Sequence, residues 1–154
     1  MTPLFKKLQL PNHLDEILIL NEPKGFCKEL DCLKDVLVKE SLIQVSEVDF
    51  ALVFITQKSQ IENRIETVFP KLVGDAVLWF AYPKKSSKNY TTEITENHGW
   101  GVLGDYNLRP VNKISIDKDW DAIRFRKISF ILSSTGDKKF ELNGVLHEKS
   151  TPIK

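Results

Sequence analysis

The residues with the most obvious chemical capacity lie in Lys84-Lys85-Ser86-Ser87-Lys88. Ammonium groups and hydroxyls packed into one short polar loop suit an anion, more so if a helix begins just after them and adds its N-terminal dipole. The plainer reading is a solvated basic turn that pairs with nearby acids. Further along, Asp119-Trp120-Asp121 joins two apolar runs. Trp120 could be a lid or stacking surface, with Arg124 as a second anion contact. Alternatively, Trp120 packs down as a plug while Asp119 or Asp121 pairs with Lys84. Asn21 and Glu22 end the first apolar run. Glu22 could act as a base or hold a ligand hydroxyl, and the alternative is turn chemistry at a helix entry. Thr56 closes another apolar run and would converge with these groups.

Other chemistry finds less support. Gly99-Trp100-Gly101-Val102-Leu103-Gly104 matches G-x-G-x-x-G, but that pattern binds a pyrophosphate only directly after a strand. Here it follows polar residues 91–98 and reads as small residues that let a helix pack closely on the sheet. Cys27 and Cys32 fit neither a C-x-x-C redox pair nor a zinc site. His13, His98 and His147 have no metal spacing with each other or with carboxylates. There is no G-x-S-x-G elbow, and no nucleophile–histidine arrangement assembles from the sequence.

The elements that must position these groups alternate apolar runs with amphipathic stretches, the rhythm of βα units. Residues 16–20 (EILIL) read as a first buried strand, closed by Asn21-Glu22-Pro23-Lys24-Gly25. Phe26, Leu30 and Leu33 predict a helix. A short strand is expected at residues 42–45, although the period of 36–45 does not decide its place. Residues 49–55 and 76–82 are almost wholly apolar, as in central parallel strands covered on both faces. Between them Ile61, Ile65, Val68 and Phe69 share one helical face, with Ser59 and Glu62 as a capping box and Pro70 and Gly74 as the stop. A further helix is expected over residues 92–107. Residues 111–117 and 122–127 are joined by so short a turn that they must pair antiparallel. A strand end or bulge is expected near Lys127, where the apolar parity switches. With neighbouring units parallel, Asn21, Glu22, Thr56, Lys84, Lys85, Ser86, Ser87 and Trp120 gather at the carboxyl edge of the sheet, where open α/β sheets bind ligands.

The chain has 154 residues, enough for one domain with its own core. We divide it into a domain over residues 1–132 and an extension over 133–154, with an edge strand expected at 140–146. Lys and Arg total 22 against 21 Asp and Glu, without the basic excess that phosphate neutralisation demands, so nucleic acid is not the expected partner. No apolar run approaches the roughly 20 residues that span a bilayer, and the first ten residues lack a secretory apolar core. A cytoplasmic setting is the expectation.

Two segments carry a resemblance. Ala76-Val77-Leu78-Trp79-Phe80-Ala81-Tyr82-Pro83-Lys84-Lys85-Ser86 and Asp119-Trp120-Asp121-Ala122-Ile123-Arg124-Phe125-Arg126 resemble a family of small bacterial proteins known only as a domain of unknown function. Its members show a strand ending in W-x-x-x-P-K-K, then a motif close to D-x-W-x-x-x-R-F. The likeness runs over residues 4–127. It implies an α/β Rossmann-like three-layer sandwich similar to methyltransferases, with a mostly parallel sheet of about six strands and a C-terminal antiparallel pair. Methyltransferases carry a Gly-rich loop after the first strand. Here that loop, Asn21 to Phe26, has a single glycine, so the cofactor stays unassigned. Two functions follow as expectations: a small ligand-binding or degenerate methyltransferase-like domain with an anion site at the carboxyl edge, or a non-catalytic interaction or homodimerisation module.

Overall fold

The computed structural model describes residues 2–132. A six-stranded sheet in the order β2-β1-β3-β4-β6-β5 forms the middle layer. Its strands are β1 Glu16–Leu20, β2 Leu37–Lys39, β3 Val48–Phe54, β4 Leu72–Pro83, β5 Leu108–Ser115 and β6 Trp120–Lys127. β2, β1, β3 and β4 are mutually parallel, whereas β6 is antiparallel to both β4 and β5. Helices α1 Pro3–Lys7 and α2 Cys27–Asp31 cover one face, and α3 Lys58–Val68 and α4 Gly101–Asp105 the other. The short helix α5 Ile128–Leu132 follows β6. This is the expected fold class.

Alternation along the strands explains the layering. Leu18, Ala51, Val53, Leu78, Phe80, Ile123 and Phe125 pack against Ile61, Ile65 and Leu103 of α3 and α4. Their neighbours Ile17, Ile19, Phe50, Leu52, Val77, Trp79 and Ala122 pack against Leu4, Phe5 and Leu8 of α1. Both faces are buried, which is why β3 and β4 read as continuous apolar runs. The indole N–H of Trp79 donates to the carbonyl of Leu8 at 2.8 Å, fastening α1 to the sheet centre. β1 has β2 on one side and β3 on the other, so the chain reverses direction of build between β1 and β3. That gap is the topological switch point.

Several expectations need correction. The second strand is residues 37–39, and residues 42–44 form a 3-10 turn that leaves Ile43 95% exposed. The cap of α3 sits earlier than Ser59 and Glu62: Gln60 Oε1 accepts the backbone N–H of Gln57 at 3.0 Å and of Thr56 at 2.6 Å. Gly74 does not stop a helix. It lies inside β4 at φ +55, where the register against β3 shifts from Val48↔Leu72 to Phe50↔Val77 and extra residues bulge outward.

The helix expected over residues 92–107 shrinks to Gly101–Asp105. Upstream, Thr92 Oγ1 accepts the N–H of Ile94 at 3.0 Å and Thr95 Oγ1 that of Asn97 at 3.3 Å, and such local bonds compete with helix. Nor do the glycines admit close helix packing: a Cβ on Gly101 would meet nothing within 4 Å. Gly99 alone is required, because its φ is +107 and an added Cβ would stand 2.7 Å from Ile94 Cδ1. We therefore expect opposite signs in denaturant unfolding. Gly99→Ala should cost about 1–3 kcal/mol through backbone strain. Gly101→Ala, inside α4, should be neutral or stabilise by up to about 1 kcal/mol. The strand end expected near Lys127 is observed, and the edge strand expected at residues 140–146 lies outside the described residues.

Candidate functional site

The parallel strands end at Leu20, Phe54 and Pro83, and β6 starts beside Pro83 at Trp120. Asn21, Glu22, Thr56, Lys84, Lys85, Ser86, Ser87 and Trp120 therefore share the carboxyl rim, as the parallel arrangement predicts. Arg124 does not. It pairs with Trp79 in mid-sheet, four residues along β6, roughly 13 Å from the rim at strand rise.

Most rim groups are engaged by the protein itself. Asn21 takes a left-handed φ of 61, which asparagine tolerates. Its Nδ2 donates to the Phe54 carbonyl at 3.3 Å, and its Oδ1 accepts from Arg64 Nη2 at 2.8 Å. Thr56 serves the α3 cap, and its carbonyl accepts the hydroxyl of Thr92. The Lys84 N–H donates to the Asp119 carbonyl at 2.7 Å, continuing the β4–β6 ladder beyond Pro83. Lys84 Nζ stands 3.8 Å from Asp121, which also faces Lys113, itself 2.8 Å from Glu96. Two cations thus meet two carboxylates on the α3 side of the rim. Burial first, then Asp121 and Glu96, pushes the Tyr82 hydroxyl upward in that setting, so it stays protonated.

Ser87 and Asn89 turn to Asp119, donating at 2.9 and 3.1 Å, and hold its carboxyl below the usual range. Lys85, Ser86 and Lys88 are exposed. The loop is not followed by a helix: residues 88–100 contain none, and α4 begins only at Gly101. The helix-dipole part of the anion expectation therefore falls away.

Trp120 packs inward, 4% exposed. Its ring centroid lies 5.0 Å from Phe54 in an edge-on arrangement and 4.9 Å from Tyr90. Phe26, on the turn after β1, meets Phe54 edge-on at 5.0 Å and Phe5 at 6.3 Å. A row of rings, Phe26–Phe54–Trp120–Tyr90, thus runs along the α1 and α2 side of the rim. It crosses the switch point, where Phe26 follows β1 and Phe54 closes β3. The plug reading of Trp120 is the one the packing matches.

Glu22 has a partner that the sequence did not disclose. Burial and then the Glu40 carboxyl, which hydrogen-bonds it, push its pKa up to about 7. Glu40 directly follows β2, and a second strand at residues 42–45 would keep it from the rim. Only the correct end of β2 brings it to the rim. A raised carboxyl pKa means the folded state holds the extra proton, so stability should fall as pH rises from about 4.5 to about 7. Glu22→Gln should flatten that fall, gaining about 1 kcal/mol over wild type at pH 8 once solvent screening is allowed for. Urea midpoints at pH 5 and pH 8 would check this, and a wild-type profile flat across the window would contradict it.

Among the described residues no helix is long and apolar enough to cross a membrane, and no group of three or more His, Cys, Asp or Glu could hold a metal. Cys27 and Cys32 are free thiols.

No family model and no curated protein matches the chain. Solved structures do. A SAM dependent methyltransferase from Aquifex aeolicus superposes with TM-score 0.55 at 14% identity, covering 80% of this chain and 87% of that one. The ribosomal protein L11 methylase from Lactobacillus delbrueckii subsp. bulgaricus gives 0.52 at 10% identity, covering 80% and 77%. Haemonchus contortus phosphoethanolamine N-methyltransferase 2 gives 0.51 at 11% identity, covering 80% and 35%. These likenesses define the class of fold: Rossmann-like, as in methyltransferases.

Proposed function

We propose that this chain is a degenerate methyltransferase-like domain that keeps the sheet of those enzymes and works as a binding module rather than as a methyl-transfer catalyst. The observation that carries the reading is the aromatic row Phe26–Phe54–Trp120–Tyr90. Open α/β sheets take ligands in a crevice outside the strand ends at the switch point. Here the chain's own rings occupy the α1 and α2 side of that place. Two further features support the reading. The turn after β1 has one glycine, Gly25, so its backbone offers little room for a cofactor to lie close. Lys84 faces Asp121, leaving it little call for an anion.

The test is calorimetric titration of the full chain with S-adenosylmethionine and S-adenosylhomocysteine, paired with thermal unfolding. We expect no saturable heat and an unchanged Tm up to about 1 mM. A ligand present at 100 times its Kd would add about 2.7 kcal/mol, which a melting curve shows easily. A Kd below about 100 µM for either compound would overturn the proposal.

A second reading rests on Glu22 and Glu40. Two carboxyls at the ends of adjacent parallel strands could hold the hydroxyls of a nucleoside-like ligand. Binding that Glu40→Gln weakens at least tenfold would favour this reading over the first. Membership in the small bacterial family belongs to the same proposal. Its two motifs lie side by side, with Trp79 opposite Arg124 and Pro83 opposite Trp120. The homodimer is likewise a proposal, and sedimentation of the full chain at the monomer mass would exclude it.

A further inference from the structure

We propose that the α1 side of β6, centred on Arg124, is an anion-binding site separate from the carboxyl rim, taking an oxyanion of the phosphate class. Alternation along β6 puts Trp120, Ala122, Arg124 and Arg126 on this face, and the register places Asn112 of β5 directly opposite Arg124. Asp75 is a carboxylate within reach, and Arg126 takes it in a two-pronged pair at 3.0 and 2.6 Å. Among the described residues Arg124 has no such partner. Its Nη1 donates to the neutral amide Gln9 Oε1 at 2.8 Å, while its Nε is buried with no acceptor among the described residues. Burial works against its charge, Asp75 favours it and Arg126 opposes it. A guanidinium held half-buried against an amide, beside a second guanidinium, is short of negative charge.

Beside these acceptors, Gln9 and Asp75, the surroundings also supply donors. Gln9 follows α1 at a left-handed φ of 61, which turns the chain back toward the sheet. Lys6 and Lys7 occupy the last turn of α1, and Lys7 Nζ rests on the carbonyl of Ser115 at 2.9 Å, three residues along β5 from Asn112, so they lend long-range positive charge rather than contacts. Asn112 spends its Oδ1 on the N–H of Lys113, which leaves its Nδ2 to donate. The planar Arg124 guanidinium matches the oxygens of a phosphoryl group, and the Asn112 amide opposite it is a further donor.

The test uses the full chain and inorganic phosphate, at constant ionic strength with sodium chloride as the control. We expect a saturable rise in Tm with phosphate and none with chloride. Arg124→Gln should weaken the phosphate response at least tenfold. The double variant Lys84→Gln with Lys85→Gln, on the rim, should leave it unchanged. If circular dichroism shows Arg124→Gln to be unfolded, Arg124→Lys replaces it, keeping the charge and losing the fork, with the same tenfold expectation. No response in wild type up to about 20 mM phosphate would overturn the site. So would an equal response in a folded Arg124 variant, or loss of the response in the rim variant.

Discussion

Trp120→Ala should lose about 3–5 kcal/mol of unfolding free energy, the usual cost of deleting a large buried ring. The side chain is 4% exposed and wedged between Phe54 and Tyr90, so little can relax into the space it leaves. Domains of ordinary stability have about 5–15 kcal/mol in total, so the variant would be marginal at 37 °C. Trp120→Phe keeps one edge-on contact and should lose roughly half as much. Urea unfolding of both variants gives the comparison. A loss below about 1 kcal/mol for Trp120→Ala would mean that the ring is loosely held, and the closed switch point would no longer stand.

Trp79→Ala should cost as much, about 3–5 kcal/mol, for a different reason. Trp79 is fully buried at the centre of β4 and its indole N–H donates to the carbonyl of Leu8, the C-cap of α1, at 2.8 Å. Trp79→Phe separates the two roles. It keeps most of the apolar volume and strands a buried carbonyl, for about 1–3 kcal/mol. Amide hydrogen exchange should then quicken in residues 3–8 and stay unchanged in α3, since α3 packs on the opposite face. Equal quickening in both helices would contradict the assignment of Trp79 as the fastener of α1.

How much of this could be read from the residues depended on how many contacts each stretch makes. β1, β3 and the core of β4 were legible because both their faces are buried, and that leaves long apolar runs. The β5–β6 pair was legible because so few residues join it. β2 was not. Leu37, Val38 and Lys39 form a short edge strand with little burial, while the more apolar Leu42 and Ile43 sit in a turn that the period cannot distinguish from a strand. The rim residues followed from topology alone, which is why Asn21, Thr56, Lys84 and Trp120 do converge. What each rim group does there was hidden, because Lys84–Asp121, Ser87–Asp119 and Glu22–Glu40 are tertiary pairs. The distance of Arg124 from the rim depends on where β6 begins, and β6 begins at Trp120 itself, two residues before the apolar run suggests.

The two outermost strands carry a consequence for how these molecules behave when crowded. β2 offers a foreign backbone three residues and ends in a lysine. β5, at the other margin, contains Pro110, which has no N–H to give, and a register shift between Pro110 and Asn112. Among the described residues, neither border presents the long, flat template on which chains stack into fibrils. A chain ending at residue 132 should therefore stay free of thioflavin-positive aggregates in concentrated solution, which a thioflavin assay of that truncation would check.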